Sequence, residues 1–358
     1  MKRFKKILIV FDGKKDNRAL FIQAMDLAQR NQAALTIVDV IEEAPSGLLK
    51  SISKEPAGKV QRPNIPIIEE FPTKTSVSPV SVSPLESLKD KVIEIKKTSI
   101  DIREFIIQEE KRSLQQYVAT IQQAGIQVNS KILSGVPFIK IIQEVLLGQH
   151  DLVMITAEGS GVIKETLFGS TTLHLMRKCP CPVWVIKSGQ ARRFDRILAA
   201  VDLVEEDNER AALANKIMEL ATSQARASQS ELLVIHTWKM YGESIIKGRG
   251  EVSNEAIRIL LQETQDVHRQ LVIELLQQHP LDNLKSEVYL LKGDAGTLIT
   301  ELAQVKAVDL IVMGTISRAG LSGFLIGNTA EKVLQKVNCS LLTVKPEGFV
   351  TPVKSDQV

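Results

Sequence analysis

Two aspartates occupy matching positions, each at the end of a short apolar stretch. Asp12 ends the stretch that begins at Lys6, and Asp202 ends the stretch that begins at Arg196. A carboxylate at such a position can accept hydrogen bonds from an adenine amino group or a ribose hydroxyl. It can equally accept a hydrogen bond from the backbone of the following turn and cap it. The residues alone leave both interpretations open.

A glycine-rich segment near the end of the chain combines the residue types that bind phosphate. Its last part, Gly327-Asn328-Thr329, opens a predicted helix. Glycine lets the backbone approach an anion closely and adopt a positive φ. The free N–H groups and the positive dipole end of a helix favour phosphate. The side chains add donors and one cation, and the candidate residues are Gly314, Ser317, Arg318, Gly327, Asn328 and Thr329.

A second segment with similar spacing occurs earlier in the chain. Its candidate phosphate-binding residues are Thr156, Gly159, Gly169, Ser170 and Thr171. Because both segments follow a predicted strand and precede a predicted helix, the signal is stronger than that of a lone glycine-rich loop. Neither segment is a P-loop, and Gly159-Ser160-Gly161 is not a dinucleotide fingerprint, since Lys164 stands at its third glycine.

These segments belong to a repeat that is written twice along the chain. The matched blocks are 6–12 with 196–202, 133–135 with 291–293, 151–154 with 309–313, 168–171 with 326–329, and 181–187 with 339–345. The first copy is longer because it contains a stretch near 45–84 with seven prolines and many serines. Such a composition predicts a mobile surface insertion. The predicted domains are 1–189 and 193–347, followed by a tail at 348–358.

Each copy alternates short apolar strands with helices, which predicts an α/β fold. In the second copy the predicted strands are 196–201, 231–236, 286–291, 308–313 and 340–345, and the predicted helices include 208–225 and 296–305. In the first copy, 85–124 is predicted to be one long helix. The fold class is therefore two tandem, doubly wound, parallel five-stranded sheets flanked by helices. Ligands bind such sheets beyond the carboxyl ends of the strands, where the strand order reverses.

Composition limits the classes of function. The chain has 358 residues, 44% hydrophobic residues, 4% aromatic residues and a net charge of +3, which suits two globular domains and gives little support for nucleic-acid binding. Three cysteines suit a reducing compartment, and neither they nor the five histidines have metal-binding spacing. No apolar run reaches the roughly 20 residues of a membrane span. We therefore expect a cytoplasmic protein without membrane contact and without a metal site.

The aspartate after strand one and the G-x2-G-x9-G-S/T pattern after strand four resemble the universal stress protein family. The resemblance covers both copies. It extends to the tandem E type of Gram-negative bacteria, which shares the Gly-Asn-Thr-Ala-Glu sequence found here at 327–331 and the Thr-Pro-Val tail at 351–353. It implies an adenine-nucleotide α-hydrolase-like fold and a small-molecule-binding regulator.

The family also implies where a ligand binds. Members that bind ATP contact adenine and ribose near the first aspartate and the end of strand two, which correspond here to Asp12 and Val40 in copy one and to Asp202 and Thr237 in copy two. They hold the phosphates with the glycine motif. Family dimers pair through the last strand, so the resemblance implies an intramolecular pseudo-dimer of the two domains through 182–186 and 340–344, with a homodimer as a further alternative.

Each copy departs from the motif at one glycine, at Thr156 and at Ser317. A Cβ at these positions narrows the space for a phosphate, or requires a φ that costs roughly 1 kcal/mol or more outside glycine. The leading hypothesis is a non-enzymatic stress-response regulator that binds ATP, with Mg, at one or both sites. The alternative is a nucleotide-free scaffold that binds another small ligand or a partner protein. No catalytic residue is predicted, although weak ATP hydrolysis is compatible with the pattern.

Overall fold

The computed structural model describes most of the chain outside the predicted insertion. The described residues are 4–13, 15–42, 104–105, 107–157, 168–189, 193–249, 252–315 and 327–354. One compact unit contains Met1–Ile41 and Ser113–Val358, and a second contains Glu42–Arg112. Of the second unit, only residue 42 and helical residues within 104–112 are described. The insertion near 45–84 and the candidate residues Gly159, Ser317 and Arg318 lie outside the described residues.

Repeat one, as we call the first copy, alternates strands and helices. Its elements are β1 (Lys6–Val10), α1 (Arg18–Asn31), β2 (Ala34–Ile41), α2 (residues 107–123), β3 (Val128–Ser134), α3 (Pro137–Gly148), β4 (Leu152–Thr156), α4 (Ser170–Lys178) and β5 (Val183–Ile186). The end of the long helix predicted over 85–124 is thus observed as α2.

Repeat two follows the same order and has one helix more than the described residues of repeat one. Its elements are β6 (Arg196–Val201), α5 (Asn208–Ser228), β7 (Glu231–Trp238), α6 (Glu243–Arg249), α7 (Asn254–Gln278), β8 (Ser286–Lys292), α8 (Ala295–Val305), β9 (Leu310–Gly314), α9 (Asn328–Lys336) and β10 (Ser340–Val344). All five strands predicted for this copy are present, with ends that differ by no more than two residues.

The strands form one sheet, in the order β3-β2-β1-β4-β5-β10-β9-β6-β7-β8. Within each repeat every neighbouring pair is parallel, which confirms the predicted fold class. The two five-stranded halves meet at β5 and β10, which pair antiparallel with Trp184 opposite Leu342. The halves are therefore continuous with each other rather than two separate sheets.

Helices cover both faces of the sheet, and this explains the nearly continuous apolar character of the strands. In β1, Ile7 and Ile9 pack into one core layer, while Leu8 and Val10 pack into the other. The strand order reverses between β1 and β4 in repeat one and between β6 and β9 in repeat two. A crevice at the carboxyl ends of these strands is the expected ligand position. In the part of the chain that is described, no helix has the length and apolarity needed to cross a membrane.

Candidate functional site

Repeat two contains a cavity at the carboxyl ends of β6 and β9, where the strand order reverses. Its volume is about 220 Å³. Six residues predicted from the sequence line it together: Asp202, Thr237, Gly314, Gly327, Asn328 and Thr329. The other described residues of the wall are largely apolar and include Leu213, Ile217, Ile235, Ile299 and Met313. The fold thus brings the six predicted residues from four separate segments of the chain to one crevice.

The N-terminus of α9 opens into this cavity without a side-chain cap. Gly327 is the N-cap residue and provides no side chain to accept a hydrogen bond. By contrast, Asp207 caps α5, Ser253 caps α7 and Asp294 caps α8, each through a side-chain oxygen. Because the first N–H groups of a helix have no intrahelical partners, the first turn of α9 presents donors and a positive dipole end to an anion.

The glycine at the start of α9 has ordinary backbone angles and limited space around its Cα. Gly327 has a φ of −64°, and its repeat-one counterpart Gly169 has a φ of −73°. Any residue adopts these angles, so neither glycine is needed for a positive φ. A Cβ on Gly327 would lie 3.3 Å from the carbonyl oxygen of Thr315, which already accepts the Gly327 N–H at 2.7 Å.

Asp202 is ion-paired within the cavity, a feature that the sequence analysis missed. Arg210 of α5, which also lines the cavity, places a guanidinium nitrogen 2.9 Å from the Asp202 carboxylate. The same guanidinium lies 3.2 Å from Asp207, the N-cap residue of α5. Asp202 therefore does not cap this helix. Arg210 lies eight positions after Asp202 in the sequence, and only the turn between β6 and α5 brings the two side chains together.

A histidine pair supports the strand that carries Thr237. His236 is 1% exposed, its Nε2 lies 2.9 Å from Nδ1 of His268, and its Nδ1 lies 3.3 Å from the carbonyl oxygen of Val201. Burial lowers the pKa of both imidazoles, which favours their neutral forms. The pair therefore joins β7 to α7 and β6.

The corresponding region of repeat one contains a buried side-chain contact that repeat two lacks. Thr156 is 1% exposed, and its hydroxyl donates to Oδ1 of Asn17 at 3.0 Å. The Asn17 amide donates in turn to the carbonyl oxygens of Asp12, at 2.8 Å, and Lys15, at 3.0 Å. Gly314 stands at the position of Thr156 in repeat two and has no side chain to make such a contact. Sequence analysis identified Thr156 but missed Asn17.

The other repeat-one candidates lie near this hydrogen-bonded network. The carboxylate of Asp12 is 3.4 Å from the Lys15 ammonium. Val40 pairs with Leu133 between β2 and β3, and Ser170 begins α4, whose N-cap Gly169 also lacks a side-chain cap. Thr171 follows in the first turn and is half-buried. These candidates therefore lie at the strand ends and the helix start that the sequence predicts. The Thr156 side chain, however, occupies space that a glycine at this position would leave free.

The cysteines are buried thiols in the described part of the chain. Cys179, Cys181 and Cys339 are free and buried. Within the described ranges, no cluster of three or more His, Cys, Asp or Glu side chains could hold a metal ion. Burial raises the pKa of the Cys339 thiol to about 12, which leaves it protonated at neutral pH.

Comparisons with known proteins agree with this fold. The chain is 32% identical over 240 residues to Universal stress protein E of Salmonella typhi, covering 65% of this chain and 73% of that protein. It is 31% identical over 239 residues to Universal stress protein E of Escherichia coli K12, with the same coverage. Among solved structures, a functionally unknown protein of Pseudomonas aeruginosa PAO1 is similar in fold, with a TM-score of 0.63, 20% identity and coverage of 97% of this chain and 95% of that chain.

A universal stress protein of Archaeoglobus fulgidus also shares the fold, with a TM-score of 0.53, 15% identity and coverage of 95% of this chain and 98% of that one. A sequence model of the Universal stress protein family matches residues 73–187 and 193–345. The two matched ranges include strands β3 to β5 of repeat one and all five strands of repeat two. These matches, together with the duplicated topology and the cavity, show that the chain belongs to the universal stress protein family.

Proposed function

We propose that the protein is a non-enzymatic stress-response regulator that binds an adenine nucleotide, ATP, in the cavity of repeat two. The observation that carries the proposal is the uncapped N-terminus of α9 at the wall of that cavity. A triphosphate has the charge that this helix end favours. Gly327 leaves room for it to approach, and Asn328 and Thr329 supply side-chain donors in the same turn.

The opposite part of the cavity suits the nucleoside. Asp202 and Thr237 lie at the ends of β6 and β7, where hydrogen-bonding groups can meet a ribose hydroxyl or the adenine edge. The apolar side chains of Leu213 and Ile235 offer surface to the base. Arg210 adds a positive charge next to Asp202, so that the ion pair neutralises the carboxylate near the anionic ligand. Mg would enter with ATP, held mainly by phosphate oxygens and water.

We propose repeat two as the primary site because a side chain occupies the matching position in repeat one. The hydroxyl of Thr156 donates to the amide oxygen of Asn17, whereas the matching residue of repeat two is Gly314, which lines the cavity. Opening repeat one would break a buried hydrogen bond, which costs about 1–3 kcal/mol. We therefore expect one tightly bound nucleotide per chain.

The lining residues favour binding over turnover. The described wall of the cavity holds one carboxylate, Asp202, and Arg210 already pairs with it. A general base would need a free group within hydrogen-bond reach of an attacking water. We therefore propose a regulator without catalytic residues, in which any ATP hydrolysis is slow. A cytoplasmic location and an intramolecular pseudo-dimer formed through β5 and β10 belong to the same proposal.

A second candidate is a scaffold that binds a smaller ligand or a partner protein. It is favoured by the cavity volume of about 220 Å³, which is below the roughly 300–1,000 Å³ of ordinary small-molecule sites. The apolar wall also suits a ligand with less charge than ATP. The two candidates differ in what the α9 N-terminus binds, since only a phosphate compound requires it.

Isothermal titration of Mg-ATP into the purified chain tests the proposal. We expect binding with a stoichiometry near one and a loss of affinity in the Thr329→Val variant, which removes a donor from the first turn of α9. Thr171→Val is the matched control because it makes the same change in repeat one and should leave the affinity unaltered. The absence of heat with Mg-ATP, together with no nucleotide released on denaturation, would favour the scaffold.

A further inference from the structure

A single buried lysine connects the wall of the repeat-two cavity to a helix of repeat one. Lys345 directly follows β10 and is 3% exposed. Its ammonium donates hydrogen bonds to Oγ1 of Thr315 at 2.5 Å, to the Met176 carbonyl at 2.5 Å and to the Arg177 carbonyl at 3.1 Å. The three donors of the ammonium thus meet three acceptors, one in repeat two and two in repeat one.

The Thr315 end of this connection belongs to the proposed site. Thr315 lines the cavity and is 1% exposed. Its carbonyl accepts the N–H of Gly327 at 2.7 Å, and its own N–H donates to Val344 at 3.2 Å. Thr315 therefore contacts Lys345 through its side chain and the start of α9 through its backbone. A ligand that fixes the start of α9 also fixes Thr315.

The other end of the connection is the C-terminus of α4. Met176 and Arg177 lie in the last turn of this helix, where backbone carbonyls lack intrahelical partners. A cation at a helix C-terminus is favourable because it complements the negative end of the dipole. The opposite end of α4 begins at Ser170, a candidate phosphate-binding residue of repeat one. The nine-residue helix is about 13 Å long, so one helix joins Lys345 to the repeat-one region.

The connection is not repeated symmetrically, because the repeats differ at both of its ends. Lys187 is the repeat-one counterpart of Lys345, and its ammonium donates to the Asn338 carbonyl at 3.0 Å in an exposed contact. Ala157 stands at the position of Thr315 and has no hydroxyl. Among the described residues, the link therefore joins the cavity wall of repeat two to a helix of repeat one.

We propose that Lys345 is a positioning residue that transmits occupancy of the repeat-two cavity to helix α4 of repeat one. The proposal takes its ligand from the proposed function, whereas the mechanical link depends only on the contacts of Lys345. Ligand binding stabilises the position of Thr315 in which its hydroxyl accepts from Lys345, and the ammonium then holds the last turn of α4. Coupling of this kind requires that both sites bias one shared element, which here is α4.

Amide hydrogen exchange of the full chain tests the link without requiring a nucleotide. Thr315→Val removes the hydroxyl in repeat two, and Lys345→Met removes the ammonium while keeping a long side chain. At a pH below 7, where Lys345 carries its proton, both variants should exchange the amides of residues 174–178 about tenfold faster than the unmodified chain, because the last turn of α4 loses charge-assisted hydrogen bonds. Lys187→Met is the matched control and should leave this exchange unchanged. Unchanged exchange in both Thr315→Val and Lys345→Met would overturn the proposal.

The same measurement with saturating Mg-ATP tests the transmission. We expect the nucleotide to protect α4 in the unmodified chain and in Lys187→Met but not in Lys345→Met. Equal protection of α4 in Lys345→Met would contradict the role of the lysine. If Mg-ATP changes exchange in no part of any variant, the proposed function fails, and the Thr315→Val result in the absence of nucleotide still decides whether the two repeats are linked.

Discussion

Replacing Asn328 by aspartate should change stability and nucleotide affinity in opposite directions. Asn328 is the first residue of α9, is exposed, and lines the repeat-two cavity. Asn328→Asp preserves the shape of the side chain and adds one negative charge. At a helix N-terminus that charge should raise the free energy of unfolding by about 0.3–1 kcal/mol, because it complements the dipole. A phosphate bound at the same helix end would be repelled.

The size of the repulsion follows from the position of the side chain. Two unit charges 4 Å apart interact by about 1 kcal/mol in bulk water and by about 4 kcal/mol at an effective dielectric constant of 20. Because Asn328 is exposed, we expect a repulsion below the upper end of this range, about 1.4–2.8 kcal/mol, which corresponds to a roughly 10- to 100-fold loss of ATP affinity. A variant that merely disturbed the fold would lose stability as well as affinity.

Titration calorimetry and chemical denaturation measure the two effects in the same preparation. Ser170→Asp is the matched control, since it introduces the same charge at the first residue of α4 in repeat one. It should gain stability and leave the ATP affinity of repeat two unaltered. An Asn328→Asp variant that binds Mg-ATP as tightly as the unmodified chain would refute the assignment of the phosphates to the α9 N-terminus. Increased salt should weaken the effect, as expected for an exposed charge.

Three further outcomes are expected from the contacts. Thr156→Gly frees the space next to Asn17 and should raise the Mg-ATP stoichiometry from one towards two in a calorimetric titration; a folded variant that still binds one nucleotide would contradict the proposed role of Thr156. Gly327→Val pushes a branched side chain against the Thr315 carbonyl, so it should abolish nucleotide binding and cost about 1–3 kcal/mol of stability by urea denaturation, and normal affinity would place the site elsewhere. Burial lowers the pKa of Lys345 to about 7 from its ordinary 10.5. Between pH 7 and pH 10.5 the unfolded chain therefore binds more protons than the folded chain, and the free energy of unfolding should rise with pH. Compared with Lys345→Met, the unmodified chain should gain about 2 kcal/mol between pH 7 and pH 9, and identical pH dependence of the two proteins would show that the ammonium is not desolvated.

The strands and the residues at their ends were predictable from the sequence because their signals are local. An apolar run such as 196–201 indicates a strand buried on both faces, and an aspartate such as Asp202 directly after it must lie at the carboxyl edge of a parallel sheet. Because the sequence is duplicated, the pattern of each element can be compared between the two copies. The cavity residues Gly327 and Thr329 were found for the same reason, since they open a helix after a glycine-rich segment.

The contacts that decide how each repeat works were not predictable in this way. Arg210 pairs with Asp202, and Thr156 donates a hydrogen bond to Asn17. Lys345 donates to two backbone carbonyls of helix α4. Turns and strand pairings bring these residues together. No spacing rule marks such partners before the tertiary structure is known. The sequence also does not distinguish a glycine that adopts a positive φ from one such as Gly327, which has ordinary angles and little space for a Cβ.

A crystal structure of the full chain grown with excess Mg-ATP would show where the phosphates bind. We expect a triphosphate within hydrogen-bond distance of the backbone N–H groups of Asn328 and Thr329, an adenosine towards Asp202 and Thr237, and no nucleotide beside Thr156. A repeat-two cavity that stays without nucleotide at saturating Mg-ATP, or phosphates bound away from the start of α9, would contradict the proposed function.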